Sequence, residues 1–299
     1  MDKLDRLLEI SVKNEKQKIV RFIKTATTKL NKEGVVFGLS GGIDSTTIAY
    51  LTKEVFPDNS IALLLFEKNY NKNEEKDAES IAKKLNLKYE KIDISPVIDK
   101  LGKYEILPGF LTSSLFVKTG IKTMKLITKK NVFHGVNPEE MKKKKKTGSS
   151  FMGPATVFGM LKWRTRMILL YKYAYLRNYA VLGTTNKTEF SLGHYDPHGD
   201  GAVDIECLIH LYKTQVRQLA TFLNIPDKII NKKPFPDWLP GLYDEDLMGM
   251  SYKEMDRILV FIENKFKDFN KYDLSEKEIN EVKDAIYYAN FRRSLPLTK

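Results

Sequence analysis

Short unbroken runs of apolar residues alternate along this chain with stretches whose apolar positions recur every three to four residues. The runs are 35–39 (VVFGL), 61–66 (IALLLF) and 179–183 (YAVLG). Each is too short for a helix, rich in Val, Leu or Ile, and without a polar side, as strands covered on both faces are. A more polar third strand is expected at 89–94. The periodic stretches are 4–30 (Leu7, Leu8, Ile10, Val20, Phe22, Ile23), 46–56, 73–86 (Ala78, Ile81, Ala82, Leu85), 157–178, 211–223, 251–266 and 275–290. Pro96 is expected to open a further helix, the N-terminal helices to cover a sheet edge, and Ser275 with Glu278 to form a capping box. Strand and helix in this alternation predict right-handed βαβ units, hence an α/β fold: a Rossmann-like, doubly wound parallel sheet.

Residues 106–156 break the rhythm. The first part, LPGFLTSSLFVKTGIKTMKLI, is basic and apolar at helical spacing. The rest is loop-like and carries five consecutive lysines, 142–146. The segment reads as an insertion, with helical and loop parts, in a single domain spanning 1–299. The stretch 157–178 is apolar on more than one side (Phe158, Trp163, Tyr171, Tyr173, Tyr175), which predicts burial on two faces, as in a homodimer.

Composition narrows the class. No apolar run approaches a membrane span, and the charged N-terminus lacks the apolar core of a signal peptide. The expectation is a cytoplasmic protein. One cysteine, Cys207, excludes an intramolecular disulfide, a cysteine metal cluster and two-thiol chemistry. The formal charge of +12 fits either nucleic acid or phosphate-rich small substrates. The lysine run reads first as a solvated face, so nucleic acid is not the expected partner.

The candidate chemistry centres on two turns. Ser40-Gly41-Gly42 follows the first strand directly, and Asp44 and Ser45 fall where a helix begins. Small residues at such a turn aim backbone N–H groups at an anion. The turn has neither the lysine nor the spacing of a Walker P-loop. After 179–183 the sequence Thr184-Thr185-Asn186-Lys187-Thr188-Glu189 places hydroxyls and a carboxylate at a strand's carboxyl end, where open parallel sheets bind ligands. From residue type alone, Asp44 suits a helix N-cap as well as a metal, and Asp200 an Asx turn as well as a base. Lys213 and Arg164 suit the surface as well as a phosphate. His194 and His198 are four apart, but Pro197 and Gly199 argue against one helix face, so they read as loop residues near a substrate. Cys207, within an apolar run, reads as a buried thiol.

A lysine-free SGGxDS turn resembles the PP-loop of the ATP pyrophosphatases. Further blocks follow in order: a DA-x-x-IA helix, WRTRM in place of ARxRM, LGTTNKTE, HGDGAVD, HLYKTQVRQLA, KKPFPDWLPGLYDED, GMSYKEMD, and FRRSLP where HKR is usual. Together they resemble the ammonia-dependent NAD synthetases, whose fold is adenine nucleotide alpha hydrolase-like. The resemblance implies an amidating ligase: a carboxylate attacks the α-phosphorus of ATP, pyrophosphate leaves, and ammonia displaces AMP from the acyl adenylate, converting nicotinate adenine dinucleotide to NAD. It implies that Ser40, Gly41, Gly42, Ser45, Thr184, Arg164 and Lys213 face the ATP phosphates. Asp44 and Glu189 would hold Mg²⁺, and Asp200, Lys213 and Asp44 would act in catalysis, Asp200 beside the ammonia. No segment resembles a glutaminase, so nitrogen would come from free ammonia or a separate glutaminase.

Departures from the family pattern gather around the acceptor: Met160, Trp163, the Tyr195-Asp196-Pro197 run, Phe235, Leu242 and Phe291. Met160, Trp163, His194, His198, Phe235 and Asp237 are therefore the candidate acceptor pocket. Loss of polar partners there raises the alternative of the same chemistry on another carboxylate. A PP-loop enzyme that modifies tRNA is a further alternative, with thiolation set aside for want of paired cysteines; a non-catalytic nucleotide sensor is the last, and the retained pair of carboxylates, Asp44 and Glu189, speaks against it.

Overall fold

The apolar runs become strands because both faces of each are covered. The structure, a computed structural model, describes residues 2–68, 72–102, 152–237 and 243–293. Among these, β1 (Gly34–Gly38), β2 (Ser60–Phe66), β3 (Lys88–Asp93), β4 (Tyr179–Gly183) and β5 (Ile205–Glu206) form one sheet in the order β3-β2-β1-β4-β5. All neighbours are parallel; Val35 pairs with Ser60 on one side and Ala180 on the other.

Alternate residues feed two apolar layers. Val35, Phe37, Ala62, Leu64, Ala180 and Leu182 meet α2 (Val12–Lys29), α3 (Ile43–Val55) and α4 (Lys72–Lys84). Val36, Leu63, Leu65 and Val181 meet α5 (Ser95–Lys100) and α6 (Met152–Arg177). The sheet is thus doubly wound, as the alternation predicted. α2 buries Ile19 and Ile23 against α3 and α8 (Lys213–Phe222) and reaches β5, so it covers a face as well as an edge. Each such isoleucine contributes about 1.5–3 kcal/mol by leaving water.

A third apolar cluster joins α1 (Lys3–Leu8), α7 (Lys187–Leu192), α10 (Asp244–Met248), α11 (Tyr252–Glu263) and α12 (Glu276–Arg293). The short α9 (Asp227–Ile230) packs on α8. Arg257 of α11 clamps α1 through Asp2 and Asp5. Ser275 and Glu278 cap α12 reciprocally, as expected.

Two boundaries differ from expectation. α6 starts at Met152, inside the stretch assigned to the insertion, because Gly153-Pro154 sits in its first turn, where proline costs no backbone bond. β5, only two residues long, has too little pattern to be seen in the sequence. The insertion up to 151, with its lysine run, lies outside the described residues, as do Leu242 and the side chain of Phe291. α6 buries Phe158, Met167, Leu170 and Ala174, while Ile168, Tyr175 and Leu176 on its outer side are 69, 80 and 70% exposed.

Candidate active site

The chain reverses its direction of sheet growth between β1 and β4, and the crevice at their carboxyl ends is where such sheets bind ligands. There a cavity of about 610 Å³ opens. Its floor is the turn between β1 and α3. Gly41 adopts φ +81°, and an added Cβ would stand 2.4 Å from the Glu74 carbonyl oxygen of α4, so only glycine fits. The two serine hydroxyls of the turn meet at 2.9 Å, and Gly42 N–H donates to Ser40 Oγ at 3.3 Å. The first-turn N–H groups of α3 have no acceptor within their own helix and face the same crevice. The lysine missing from the turn is replaced in space by Lys232, whose Nζ donates to Gly41 O at 2.9 Å and pairs with Glu74 and Asp77.

Three chain segments converge beside this turn. Lys213, 2% exposed at the start of α8, donates from Nζ to Asp44 Oδ2 at 2.5 Å and to Glu189 Oε1 at 3.3 Å. The other Asp44 oxygen accepts from Asn186 Nδ2 at 3.1 Å, and the other Glu189 oxygen from Asn186 N–H at 3.1 Å. Each carboxylate therefore keeps one oxygen turned to a shared cation. Asn186 also caps α7 by accepting from Glu189 N–H. Tyr252 lies behind: its ring is 4.8 Å from Lys213 Nζ, and its hydroxyl donates to Asp244 Oδ2 at 2.8 Å. Asp244 in turn meets His194 Nε2 at 2.9 Å.

The charges are mutually adjusted. Burial, with Asp44 and Asp244 nearby, pushes the Glu189 carboxyl up to about 7 against the pull of Lys213. Burial works against the Lys213 ammonium, but Asp44 and Glu189 outweigh it and hold that ammonium well above the usual lysine value. Burial also opposes the His194 cation, and the Asp244 carboxylate overcomes it, so His194 is raised. The point where these two carboxylates converge is taken here by Lys213 Nζ; with the ammonium shifted aside, the same acids suit a hard cation that takes its remaining ligands from phosphate and water.

The second group of expected residues lies across the cavity. Asp200 is pushed up to about 6, chiefly by burial, and accepts from Asp196 N–H at 2.7 Å. Arg164 is gripped by Asp196 through Nε (2.9 Å) and a terminal nitrogen (3.3 Å), so its fork already has a carboxylate. Asp196 also accepts from His198 N–H. Met160, Trp163, His194, His198, Thr184 and Phe235 all line the cavity, and Phe235 packs edge-on to Tyr243. Asp237 lines it too, but is locked by buried Lys162 at 3.0 Å and by Arg166. Of the expected residues only Gly41 turns away, towards α4.

Sequence reasoning missed Asn186, Tyr252, Asp244, Lys232, Asp256 and Glu206. The last is pushed up to about 8, first by burial, and its Oε2 is buried with no partner among the described residues. Tyr252 and Asp256, four apart on one helix, were the available signal.

The family model for NAD synthase matches residues 15–123 and 106–296. An NH(3)-dependent NAD(+) synthetase from Thermotoga maritima is 37% identical over 290 residues, covering 95% of this chain and 98% of the relative. The chain belongs to the NAD synthase family. Among solved structures, the NH3-dependent NAD synthetase from Campylobacter jejuni, in complex with the nitrate ion, superposes with a TM-score of 0.71 at 25% identity, covering 97% of this chain and 100% of that one. The NMN synthetase from Francisella tularensis gives 0.73 at 26%, covering 97 and 99%. The matched ranges include the three segments, 40–45, 182–189 and 210–215, that supply Asp44, Glu189 and Lys213.

Proposed function

We propose that this chain is an ATP-dependent amidating ligase that makes NAD from nicotinate adenine dinucleotide and ammonia, releasing AMP and pyrophosphate. The observation that carries the reading is the meeting of Asp44, Glu189 and Lys213 at the glycine turn. Family membership adds the reaction class.

The acceptor carboxylate attacks the α-phosphorus and the bond to the bridging oxygen of the β-phosphate breaks. The turn and the first N–H groups of α3 receive the departing pyrophosphate. Lys213 supplies a positive charge for the departing phosphates. Asp44 and Glu189 would hold Mg²⁺ once the Lys213 ammonium shifts from between them towards the phosphates, and the ion would neutralise phosphate charge. Ammonia then attacks the acyl carbon, AMP leaves, and a proton passes from nitrogen to Asp200, whose raised affinity suits a proton acceptor. Arg164 faces the nucleotide once a phosphate competes with Asp196 for its fork.

The test is the purified protein with ATP, Mg²⁺, ammonium and nicotinate adenine dinucleotide, with NAD and AMP expected in equal amounts. Asp44→Ala should abolish pyrophosphate release. ATP left intact in the wild-type mixture would sink the reading. Nicotinate mononucleotide is the second acceptor to offer, since one structural neighbour is an NMN synthetase and Trp163 and Phe235 give the cavity an apolar wall. AMP formed with the mononucleotide alone would reassign the acceptor.

The same proposal includes one domain with an insertion at about 106–156, a cytoplasmic setting, and ammonia taken free or from a separate glutaminase. A homodimer would cover Ile168, Tyr175 and Leu176 on α6. Among the described residues no helix is long and apolar enough to cross a membrane.

A further inference from the structure

We propose that Asp256 is the positioning residue that sets Lys213 and Glu189 against one another. This rests on the adenylation reading above. Asp256 is fully buried, on α11 one turn after Tyr252, and so on the same helix face. Its two oxygens reach two different helices. Oδ1 accepts from the Thr188 hydroxyl of α7 at 2.5 Å, and Oδ2 accepts from Thr214 N–H of α8 at 2.8 Å. The Thr188 hydroxyl has one proton, given to Asp256, so its lone pairs are left to accept from Lys213 N–H at 3.0 Å. One carboxylate thereby holds the residue before Glu189, the residue after Lys213, and through Thr188 the backbone of Lys213 itself.

The consequence is geometric. Lys187 N–H donates to Leu211 O at 2.8 Å, tying the approaches to α7 and α8 at one point. Glu263 of α11 adds an outer tie, accepting from Lys187 Nζ and the Tyr212 hydroxyl, both at 2.7 Å; the Asp256 contacts are the ones made next to Glu189 and Lys213, and fix the angle between those two residues. The side chains of Glu189 and Lys213 then leave their backbones at fixed angles and meet at 3.3 Å. Tyr252, from the same face of α11, closes the back of the pair. Asp256 lies behind the lysine, away from the cavity, and so acts through its neighbours. A carboxylate, and not an amide, suits the place: both of its oxygens are used as acceptors, and an asparagine there would put an NH₂ against one of two donors.

The test uses the full chain and ATP–pyrophosphate exchange with nicotinate adenine dinucleotide in the absence of ammonium. The variants are Asp256→Asn and Thr188→Val, with Thr188→Ser as the conservative rescue. Alongside exchange, calorimetry gives the affinity for Mg²⁺ with α,β-methylene-ATP, and a melting curve gives the folded fraction. Expected for both disruptive variants, per folded molecule, are an exchange rate lowered by about 10- to 100-fold and analogue affinity weakened by about 5-fold or more, with the acceptor KM within about 2-fold. Thr188→Ser should restore both to within about 3-fold. A fall in melting temperature with unchanged rate and affinity per folded molecule overturns the proposal, as does a Thr188→Val variant with wild-type behaviour. If Asp256→Asn fails to fold, Thr188→Val decides alone. If the wild type shows no exchange and no NAD, the amidation reading fails, and the analogue affinities still decide the role of Asp256.

Discussion

The Lys213 ammonium lies 2.5 Å from the Asp44 carboxylate across 169 residues of sequence, with Glu189 as its second partner. Removing the lysine leaves two partly buried acids facing each other without a counter-charge. Lys213→Met is expected to lower stability by about 3–5 kcal/mol and pyrophosphate release by about 100-fold or more. The stability loss should be smaller at pH 5.5 than at pH 8, since a proton on Glu189 relieves the repulsion. Denaturant melts at the two pH values check this; an equal loss at both would contradict it.

Glu206 predicts a pH dependence of the free protein. Its carboxyl is raised from 4.5 to about 8 in the fold. As pH rises between those values the unfolded chain releases the proton and the folded one keeps it, so stability falls. His194, also raised, gives stability that is full below its ordinary 6.5 and lost as pH climbs through the folded value. Asp237 and Asp244 are held low and contribute steadily over this range. The melting temperature should therefore decline from pH 5 to 8.5, and Glu206→Gln should flatten the decline. Parallel curves for the two proteins would refute the assignment.

The glycine turn separates folding from binding. Gly41→Ala meets a left-handed φ and a backbone oxygen at 2.4 Å, and should cost about 2–4 kcal/mol. Gly42 sits at φ −85°, where an added Cβ would be 3.4 Å from Ser40 Oγ. Gly42→Ala should melt within about 1 kcal/mol of wild type. It should nonetheless bind the methylene analogue of ATP more weakly, because the methyl group projects beside the phosphate position. Calorimetry and melting of the pair decide it.

Cys207 is fully buried, and burial raises its thiol far above the ordinary value. A thiol reagent should leave the folded protein unlabelled over hours. Cys207→Ala should keep ammonium-dependent turnover within about 2-fold, at a cost of about 1–2 kcal/mol for the lost volume. Loss of turnover at unchanged stability would make the thiol a participant.

Much of this was legible in the residues. β1, β2 and β4 declare themselves because a strand covered on both faces has no polar side to hide. The turn at 40–45 declares itself because few other uses need so many small residues in one place. What escaped was partnership at a distance. Tyr252 and Asp256, a polar pair one turn apart, were passed over within a helix, yet both are fully buried because Asp244, Thr188 and Thr214 arrive from other segments. Lys213 taken alone reads as a surface lysine for the same reason. Arg164 was expected to face a phosphate; its grip on Asp196 depends on a loop conformation that no periodicity encodes.

The reactive cluster is stitched from strand ends and helix starts at 44, 189 and 213, with its rear wall supplied from 252. A nascent chain emerging from the ribosome builds its glycine turn long before it gains the second acid at 189 and the lysine at 213. Premature termination products should therefore be unable to burn ATP, so a truncated fragment in the cell would be an aggregation burden but not an energetic leak.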